Sequence, residues 1–343
     1  MSISTLERAR AGDHAAFAEL TAPYLRELRL HCYRILGSLD DAEDLLQETL
    51  VAAWRGLGGF AGRSSVRAWL YRIATNRCLN ALRDARRRLP PEPVPPFVPP
   101  EPSGLSDVTW LQPHPDDGLE PAFEVEAGPA RRYEARESVE LAFVGALQRL
   151  RPRQTAALLL RDVLDFSIGE VAEPLETSTM AVKGMLQRAR ASLDAQRRTG
   201  GWGDAPAPRS PAERDLATRF ADAFTAGDIH GVVALLTDDA WLAMPPAPHE
   251  YRGKEPIAAF LGASVSWRRH RQLTVVPTRA NTQPAYGCYI ASPDGQELIA
   301  AGILVLTIEG DRIHTITRFL DSRLHARFGL PATLPGSEPL PNR

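Results

Sequence analysis

The chain has 343 residues, which is long for one domain, so two or three domains are expected. Its net charge of −2 excludes a polycation, and any nucleic-acid contact must come from local basic faces. The cysteines Cys32, Cys78 and Cys288 are too widely spaced for a disulfide framework or a metal site, which fits a reducing cytoplasm. The N-terminus lacks the apolar run of a signal peptide, and no apolar stretch is long enough to span a bilayer, so no membrane insertion is expected.

The first part of the chain, residues 5–88, has apolar residues at helical spacing and is predicted to be helical throughout. On a helix that begins near Asp40, acidic residues three and four positions apart share one face. This acidic face consists of Asp41, Asp44 and Glu48, with Gln47 at its edge. It could be an ordinary solvated surface, or it could bind a basic protein partner.

A loop of small and polar residues, FAGRSS at 60–65, precedes a basic helix predicted over residues 66–83. One side of this helix is apolar, and another carries a polar stripe at helical spacing: Arg72, Asn76, Asn80 and Arg83. Arginine side chains hold phosphates, and asparagine amides can hydrogen-bond base edges. A loop in this position could close around an unstacked base, because nearby cationic and stacking groups offset the cost of extruding it.

A linker over residues 89–130 follows. Proline dominates residues 89–102, and because proline fixes φ and lacks the amide donor, this part is predicted to be an extended, polyproline-like spacer. Residues 103–130 are acidic and show little periodicity. They contain one aromatic island, VTWLQPHPD at 108–116, for which incidental disorder and a docking segment are equally good interpretations.

Helix is predicted again over residues 131–198, and residues 150–193 follow the pattern of a helix-turn-helix. Ser167 and Glu170 have the spacing of a capping box at the start of the first helix. A recognition helix reads the major groove mainly with its N-terminal residues. The residues that would face outward there are Ser178, Thr179, Met180, Lys183, Gln187 and Arg188. A plain helical hairpin is the alternative interpretation.

A second linker at residues 199–211 is rich in Gly, Ala and Pro, and beyond it the pattern changes. Two helical stretches followed by five strand-like runs indicate an α+β domain over residues 212–328. The helical stretches are 213–226 and 229–236, and the strand-like runs are 240–244, 273–278, 286–291, 299–308 and 312–320, with a hairpin turn at 310–311. The proline-rich residues 329–343 are expected to form a disordered tail.

The segment DAEDLLQETLVAAWRGLGGF, with SSVRAWLYRIATNRCLNALR after it, resembles conserved region 2 of the extracytoplasmic-function sigma factors, group IV of the sigma-70 superfamily. The resemblance spans most of residues 14–86. It implies that the acidic face docks on the clamp helices of the largest RNA polymerase subunit. It also implies that the polar stripe faces promoter DNA, and that a loop captures a flipped base of the −10 element. The loop residues are Gly62, Arg63, Ser64, Ser65 and Val66.

Residues 150–193, with RPRQ and LLLRD ahead of the helix-turn-helix, resemble region 4 of the same family, which reads the promoter −35 element. Two positions depart from the family pattern. Pro174 stands where an apolar helical residue is usual, so the first helix should end or kink there. Gly184–Met185 replaces a pair that often includes a basic residue, so the −35 contact would depend more on Lys183 and Arg188. The linker between regions 2 and 4 would thread through the polymerase, as it does in the family.

The order of elements in residues 210–328 resembles the nuclear transport factor 2-like superfamily and its polyketide cyclase-like branch, which occurs fused to some sigma factors. The resemblance implies a curved sheet wrapped on helices around a conical cavity, which some members use for catalysis. Candidates for the cavity wall are Trp241, Met244, Phe260, Tyr286 and Phe319. Polar candidates are His249 and Tyr251, in a predicted loop, and Arg318 and Asp321, which could form a surface pair. No predicted strand offers a convincing inward carboxylate for proton transfer.

The predicted fold is therefore multidomain: two all-α sigma domains, a region 2 helical bundle and a region 4 helix-turn-helix, plus an α+β cone-like C-terminal domain. An alternative sigma factor is expected that binds core RNA polymerase and promoter DNA in the cytoplasm. No catalysis, cofactor or metal is expected. The C-terminal domain is expected to modulate activity, and it could bind a small molecule. The alternative is a helix-turn-helix DNA-binding regulator fused to a ligand-binding or enzymatic polyketide cyclase-like domain, against which the acidic helix argues.

Overall fold

The structure is a computed structural model of the chain, and it describes residues 4–62, 64–84, 97–118, 139–197, 205–269 and 271–336. The described residues divide into two compact units, each built from separate stretches of sequence. The first unit takes residues up to 84 and residues 144–195. The second takes residues 97–118, 139–143 and 196–336. The described linker residues between the two helical regions therefore belong to the same unit as the C-terminal domain.

The first unit begins with five helices: α1 (Thr5–Arg10), α2 (His14–Thr21), α3 (Leu25–Leu36), α4 (Leu39–Gly56) and α5 (Val66–Asp84). Helices α3, α4 and α5 pack on one another through their apolar faces, where Leu28, Leu70 and Tyr71 are fully buried. Helix α3 ends at Gly37, whose φ of 73° lies in the left-handed region that glycine adopts without strain. Ser38 then caps α4 by accepting a hydrogen bond from the amide of Asp41.

Four further helices follow: α6 (Leu141–Gln148), α7 (Pro152–Leu158), α8 (Ile168–Ala172) and α9 (Thr179–Arg197). The predicted capping box is confirmed, because Ser167 Oγ accepts the Glu170 amide and the Glu170 carboxylate accepts the Ser167 amide. These hydrogen bonds hold the pKa of Glu170 below its usual value. Helix α8 ends two residues before Pro174, as the proline predicts. The part of the predicted helix before residue 139 lies outside the described residues.

The second unit is built on one sheet of eight strands. They are β1 (Gly104–Leu105), β2 (Leu236–Met244), β3 (Ala247–Arg252), β4 (Leu273–Ala280), β5 (Gln283–Ala291), β6 (Glu297–Glu309), β7 (Arg312–Phe319) and β8 (Thr333–Pro335). The strand order is β1-β3-β2-β7-β6-β5-β4, and β8 pairs with β6. Paired strands are antiparallel except β2 and β7, which run parallel. The predicted hairpin turn at Gly310–Asp311 is confirmed between β6 and β7.

Helices α10 (Pro211–Ala226), α11 (Ile229–Ala234) and α12 (Lys254–Arg268) accompany this sheet, with a short α13 (Leu324–Arg327) near its end. Phe220 of α10 and Ile257 of α12 are fully buried in one core with residues of the strands. This arrangement confirms the predicted α+β class. Among the helices of the described part, none combines the length and the apolar character that a membrane crossing requires.

Three stretches depart from the elements predicted by sequence. The sequence predicts irregular chain after residue 102, but Gly104–Leu105 form β1 against β3. It predicts a loop for His249 and Tyr251, but both lie on β3. Prolines hide the alternation of this strand. Pro248 is accommodated because it lies at the bulge where the register of β2 and β3 shifts, and its carbonyl accepts a hydrogen bond from the Ser106 amide. The predicted disordered tail includes β8, which pairs with β6 over residues 333–335, while residues 337–343 lie outside the described part.

Candidate polymerase- and DNA-binding surfaces

The acidic face of α4 is exposed to solvent. Asp41, Asp44, Gln47 and Glu48 are all exposed. Leu46 and Ala53 are buried on the opposite side of the same helix, so packing against the rest of the unit fixes the orientation of the acidic face. Glu48 Oε2 lies 3.7 Å from Arg77 Nη1, but both side chains are largely exposed and such pairs contribute little to stability. The face is therefore free to meet a basic partner.

The loop before α5 is open. Gly62 has a φ of 68° and nothing within 4 Å of the position that a Cβ would take. Ser64 and Ser65 are exposed, and Ser65 Oγ accepts a hydrogen bond from the Ala68 amide, which fixes the start of α5. Val66 is half-buried, and Arg63 lies outside the described residues. A rigid helix start beside an open loop suits the capture of an extruded base.

The polar stripe of α5 is only partly free. Asn80 and Arg83 are exposed, whereas Arg72 and Asn76 are half-buried. Arg72 Nη1 donates to Glu173 Oε1 at 2.6 Å, and Glu173 directly follows α8 of the helix-turn-helix. Both side chains of this ion pair are substantially exposed, so a phosphate could displace the carboxylate at little cost.

Aromatic and charged groups fix the N-terminal half of α5. Arg67 Nε and Tyr71 OH both donate to Glu27 Oε2, at 3.2 and 3.1 Å. The Arg67 guanidinium also lies 5.2 Å from the ring centroid of Phe166, whose ring packs edge-on against Tyr71. Burial raises the pKa of Tyr71, so its hydroxyl stays protonated and keeps donating. These contacts hold α5 against the segment that precedes α8.

Helix α9 carries the residues that are predicted to read the −35 element. Ser178 caps this helix, with Oγ 3.2 Å from the Ala181 amide. The buried side consists of Val182, Met185, Leu186 and Ala189. The exposed side carries Ser178, Thr179, Met180, Lys183, Gln187 and Arg188. Met180 is 74% exposed. An apolar side chain that exposed at the start of a recognition helix is suited to contact with a thymine methyl group.

In the second unit, strand β3 binds the first described residues of the linker that joins the two helical regions. Tyr251 OH donates to the carbonyl of Pro100 at 2.8 Å, and the Arg252 amide donates to Ser103 Oγ at 3.1 Å. The pairing of β1 with β3 and the Ser106–Pro248 hydrogen bond continue this contact. The linker thus adds a strand to the edge of the sheet.

The turn between β4 and β5 forms a second contact, with residues that come before and after residues 119–138. Asn281 and Thr282, which connect β4 to β5, have φ values of 54° and 65°. The Asn281 amide donates to the His114 carbonyl, and its side-chain oxygen accepts the His114 amide at 2.7 Å. The Asn281 side-chain nitrogen donates to the carbonyl of Val139, also at 2.7 Å. A linker residue before residues 119–138 and a residue directly after them are therefore bound to the same asparagine.

A buried ion network supports this turn. Asp116 accepts the Thr282 amide at 2.7 Å and Arg279 Nε at 3.1 Å. Arg279 also donates to Glu213 of α10 at 2.8 Å, and both carboxylates are more than nine-tenths buried. Burial raises the pKa of Asp116. Removal of one partner of such a network is costly, because it leaves a buried charge uncompensated.

The contacts of this linker clamp are not predictable from the sequence motifs. Its clearest signal is Asn281 between two strand-like runs, because asparagine tolerates the left-handed conformation that a two-residue hairpin turn requires. The docking interpretation of the aromatic island is supported by Val108 and His114, which are both buried. Nothing local in the sequence shows that Asn281 meets His114 and Val139, because these contacts join residues more than 140 positions apart.

The predicted cavity residues have different surroundings in the described part of the second unit. Met244, Phe260 and Phe319 are buried in the packed cores of the second unit. Trp241 is half-buried, with the Arg252 guanidinium 5.0 Å from its ring centroid. Tyr286 donates its hydroxyl to the Ala217 carbonyl and lines an open groove of about 890 Å³ between α10 and strands β4 and β5.

Three of the four polar candidates of this domain make structural contacts, whereas Nδ1 of His249 is buried without a partner among the described residues. Tyr251 holds the linker, and His249 lies beside it on β3. Arg318 and Asp321 do not pair with each other within the described residues. Arg318 donates to the carbonyl of Ala301, and Asp321 forms a 2.8 Å ion pair with Arg323.

Comparison with known proteins places these surfaces in a family. Three segments match family models: Sigma-70 region 2 at residues 20–88, Sigma-70, region 4 at residues 140–193, and a SnoaL-like domain at residues 217–316. These matches define the class, a sigma-70-type factor with an additional C-terminal domain. The ECF RNA polymerase sigma factor SigG of Mycobacterium tuberculosis is 44% identical over 330 residues, covering 95% of this chain and 86% of that protein. The chain belongs to the ECF (extracytoplasmic-function) RNA polymerase sigma factors.

Another relative supports the same fold. The ECF RNA polymerase sigma factor SigJ of Mycobacterium tuberculosis is 29% identical, covering 82% of this chain and 84% of that protein. The crystal structure of SigJ superposes with a TM-score of 0.57 at 23% identity, covering 92% of this chain and all but 1% of that chain. The family and the fold class predicted from sequence are confirmed.

Proposed function

We propose that this ECF sigma factor binds core RNA polymerase through the acidic face of α4. Its open loop and α5 then read and melt the −10 element, and α9 reads the −35 element in the cytoplasm. The observation that carries the proposal is the exposure pattern of the first unit. Each of the three helices buries its apolar side. Helices α4 and α9 expose the polar residues that the family would use, and α5 exposes Asn80 and Arg83 of its stripe. Its relatives are sigma factors rather than enzymes, and the nucleotide chemistry belongs to the polymerase.

A double charge reversal tests the polymerase contact. Asp44→Lys with Glu48→Lys should weaken binding to core RNA polymerase about tenfold or more, because like charges would then face a basic partner. Both residues are exposed, so the free energy of unfolding should change by only about 0.5 kcal/mol. The dissociation constant is measured with fluorescently labelled sigma factor, and the circular dichroism spectrum checks the fold.

The matched control is Asp215→Lys, a reversal at an exposed helical acid of α10. It should bind core enzyme like the wild type. Unchanged core binding of the double variant would remove the acidic face from the interface.

We further propose that the C-terminal domain modulates activity by holding the linker. If the linker threads through the polymerase, as in the family, it must first leave β3 and the Asn281 turn. The protein then has two states, one with the linker bound to the C-terminal domain and one with the linker released, and core polymerase favours the released state. The domain lowers the affinity of the sigma factor for core polymerase, and a more stable contact between the domain and the linker lowers it further. No catalytic step is assigned to it, since Tyr251 and Asp321 are engaged in structural contacts.

A pair of tyrosine variants tests this mechanism. Tyr251→Phe removes the hydrogen bond to the linker carbonyl of Pro100. Loss of one such bond weakens the held state by about 1 kcal/mol, so core binding should tighten up to about fivefold. Tyr289→Phe is the matched control, because it removes a 2.9 Å hydrogen bond to the carbonyl of Pro331, outside the linker. Equal core affinity in both variants would contradict control through the linker, without touching the sigma assignment.

A further inference from the structure

A glycine lies inside the helix that is proposed to read the −35 element. Gly184 belongs to α9, which runs over Thr179–Arg197. A glycine in a helix interior is less stable than an alanine, because its backbone loses more freedom on folding. The φ of Gly184 is not positive, so the backbone conformation itself does not require a glycine here. The side chains around this position are therefore where the absence of a Cβ makes a difference.

The surface over Gly184 is occupied by the guanidinium group of Arg188. The three atoms nearest to the position that a Cβ of residue 184 would take are Nη1, Nη2 and Cζ of Arg188, at 3.4, 3.8 and 3.9 Å. Helix geometry explains this contact, because side chains point toward the N-terminus of their helix and residues four positions apart lie one above the other. Arg188 thus reaches back one turn, toward the end of α9 that a recognition helix inserts into the major groove.

The hydrogen-bond donors of Arg188 are free. The side chain is exposed, and it makes no hydrogen bond or ion pair with another residue of the described chain. Arg190 is also exposed, but its Nε and Nη2 donate to the Asp162 carboxylate at 2.9 and 2.6 Å. Arg190 therefore ties α9 to the segment ahead of α8, whereas Arg188 keeps its planar fork of donors available for a ligand.

Met180 lies one turn before Gly184, on the same side of α9. At the rise of an α-helix, Met180 and a group that lies over Gly184 are separated by roughly 6 Å along the axis. Successive base pairs of DNA are about 3.4 Å apart, so side chains with that separation reach bases about one or two steps apart. A guanidinium fork matches O6 and N7 of guanine, and an apolar side chain suits the methyl group of thymine.

We propose that Gly184 determines specificity by holding the Arg188 guanidinium where it reads a guanine of the −35 element, about one or two base steps from the base that Met180 contacts. The inference rests on the proposed function of α9 and adds a base preference to it. Gly184 is a positioning residue, because it acts through Arg188. A large side chain at position 184 would displace the guanidinium, whereas the methyl group of alanine fits, since 3.4 Å to Nη1 is an ordinary contact.

Selection of DNA from a pool tests this inference. Holoenzyme made from the full chain and core RNA polymerase binds promoter DNA that is randomised across the −35 region, and the bound sequences are read. The wild type should prefer one guanine about tenfold over other bases, as a bidentate contact does, and a thymine about one or two steps away. Gly184→Leu and Arg188→Lys should lose the guanine preference and keep the thymine preference. Lysine keeps the charge of arginine but not its planar fork.

Two variants control for the size of the added side chain. Gly184→Ala should keep both preferences, and so should Ala191→Leu, which places a leucine at an exposed position nearer the C-terminus of α9. The circular dichroism spectrum checks the fold of each variant.

A guanine preference that survives in Gly184→Leu or in Arg188→Lys would overturn the proposal. Loss of every base preference in Gly184→Leu would also overturn it, because the leucine would then block the groove rather than displace one side chain. A wild type that selects no sequence in the −35 region would contradict the proposed function of α9 itself, and this inference with it.

Discussion

His31 shows how one buried side chain makes region 2 sensitive to acid. The residue is fully buried on α3, with Nε2 2.9 Å from Thr75 Oγ1 and its ring edge-on against Tyr71. Its Nδ1 is buried without a partner in the described structure. Burial lowers the pKa of His31 to about 3, because the imidazolium would lose its hydration without gaining a counter-charge. The folded protein therefore keeps this imidazole neutral.

The pKa of His31 predicts the pH dependence of stability. In the unfolded chain a histidine titrates at about 6.5, so between that pH and about 3 the unfolded state binds more protons. Stability contributed by neutral His31 is complete above about pH 6.5 and decreases on acidification, by up to about 1.4 kcal/mol per pH unit. His31→Gln, which can still hydrogen-bond Thr75, should lose less stability than the wild type between neutral pH and about pH 5.

Urea unfolding near neutral pH and at about pH 5 measures this effect. The control is His230→Gln, the same change at an exposed histidine of α11, which should keep the wild-type acid sensitivity. Parallel losses of stability in the wild type and in His31→Gln would show that other groups cause the acid sensitivity.

At the scale of elements, we propose that α5 combines two kinds of DNA contact. Asn80 is exposed and can read a base edge, whereas Arg72 is a cation now paired with Glu173. Asn80→Ala should relax base preference within the −10 element, at a cost of about 1–3 kcal/mol on the preferred sequence. Arg72→Ala should weaken binding to all promoter sequences and reduce the salt dependence of binding, because one phosphate contact is lost.

Binding to fork-junction DNA at several salt concentrations distinguishes the two variants. Arg55→Ala, at an exposed arginine in the last turn of α4, is the control and should change neither property. Wild-type transcription by both α5 variants, from duplex and from pre-melted promoters alike, would show that the stripe does not touch DNA.

The helices were predictable from sequence because their signals are local. The capping box of Ser167 and Glu170 and the stop at Pro174 lie within a few residues of the helix that they define. The exposure of the acidic face and of the α9 readers also follows from helical periodicity alone. The ion pair of Arg72 with Glu173 does not, since 101 positions separate its partners.

The strands were predictable only where apolar and polar residues alternate in the sequence. Strands β4 to β7 carry it, but β3 contains Pro248, and β1 has only two residues. What makes Gly104–Leu105 a strand is a partner on β3, which lies 146 positions away at Glu250 and cannot be inferred from neighbouring residues. The linker clamp was missed for the same reason, because Asn281 has a function only through residues that the chain brings to it.

At the scale of the whole molecule, we expect the clamp to hold the two sides of residues 119–138 together even when the chain between them is cut. His114 of the linker and Val139, which lie on either side of residues 119–138, bind the same Asn281. A chain cut between these points would keep both new ends attached to one turn. The amino-terminal piece would carry region 2 and the carboxy-terminal piece region 4, joined through the sheet of the second unit.

The cut protein should therefore stay assembled as two pieces as long as core polymerase does not release the linker. A protease site inserted at about residue 128 should yield two bands on a denaturing gel but one particle on gel filtration in the absence of core polymerase. Asn281→Ala with Tyr251→Phe should weaken the association of the pieces, because both anchors of the linker are reduced. Pieces that separate in the wild-type background would show that the clamp is too weak to replace a peptide bond. If they remain together, regions 2 and 4 could be expressed as separate polypeptides and exchanged between related chains.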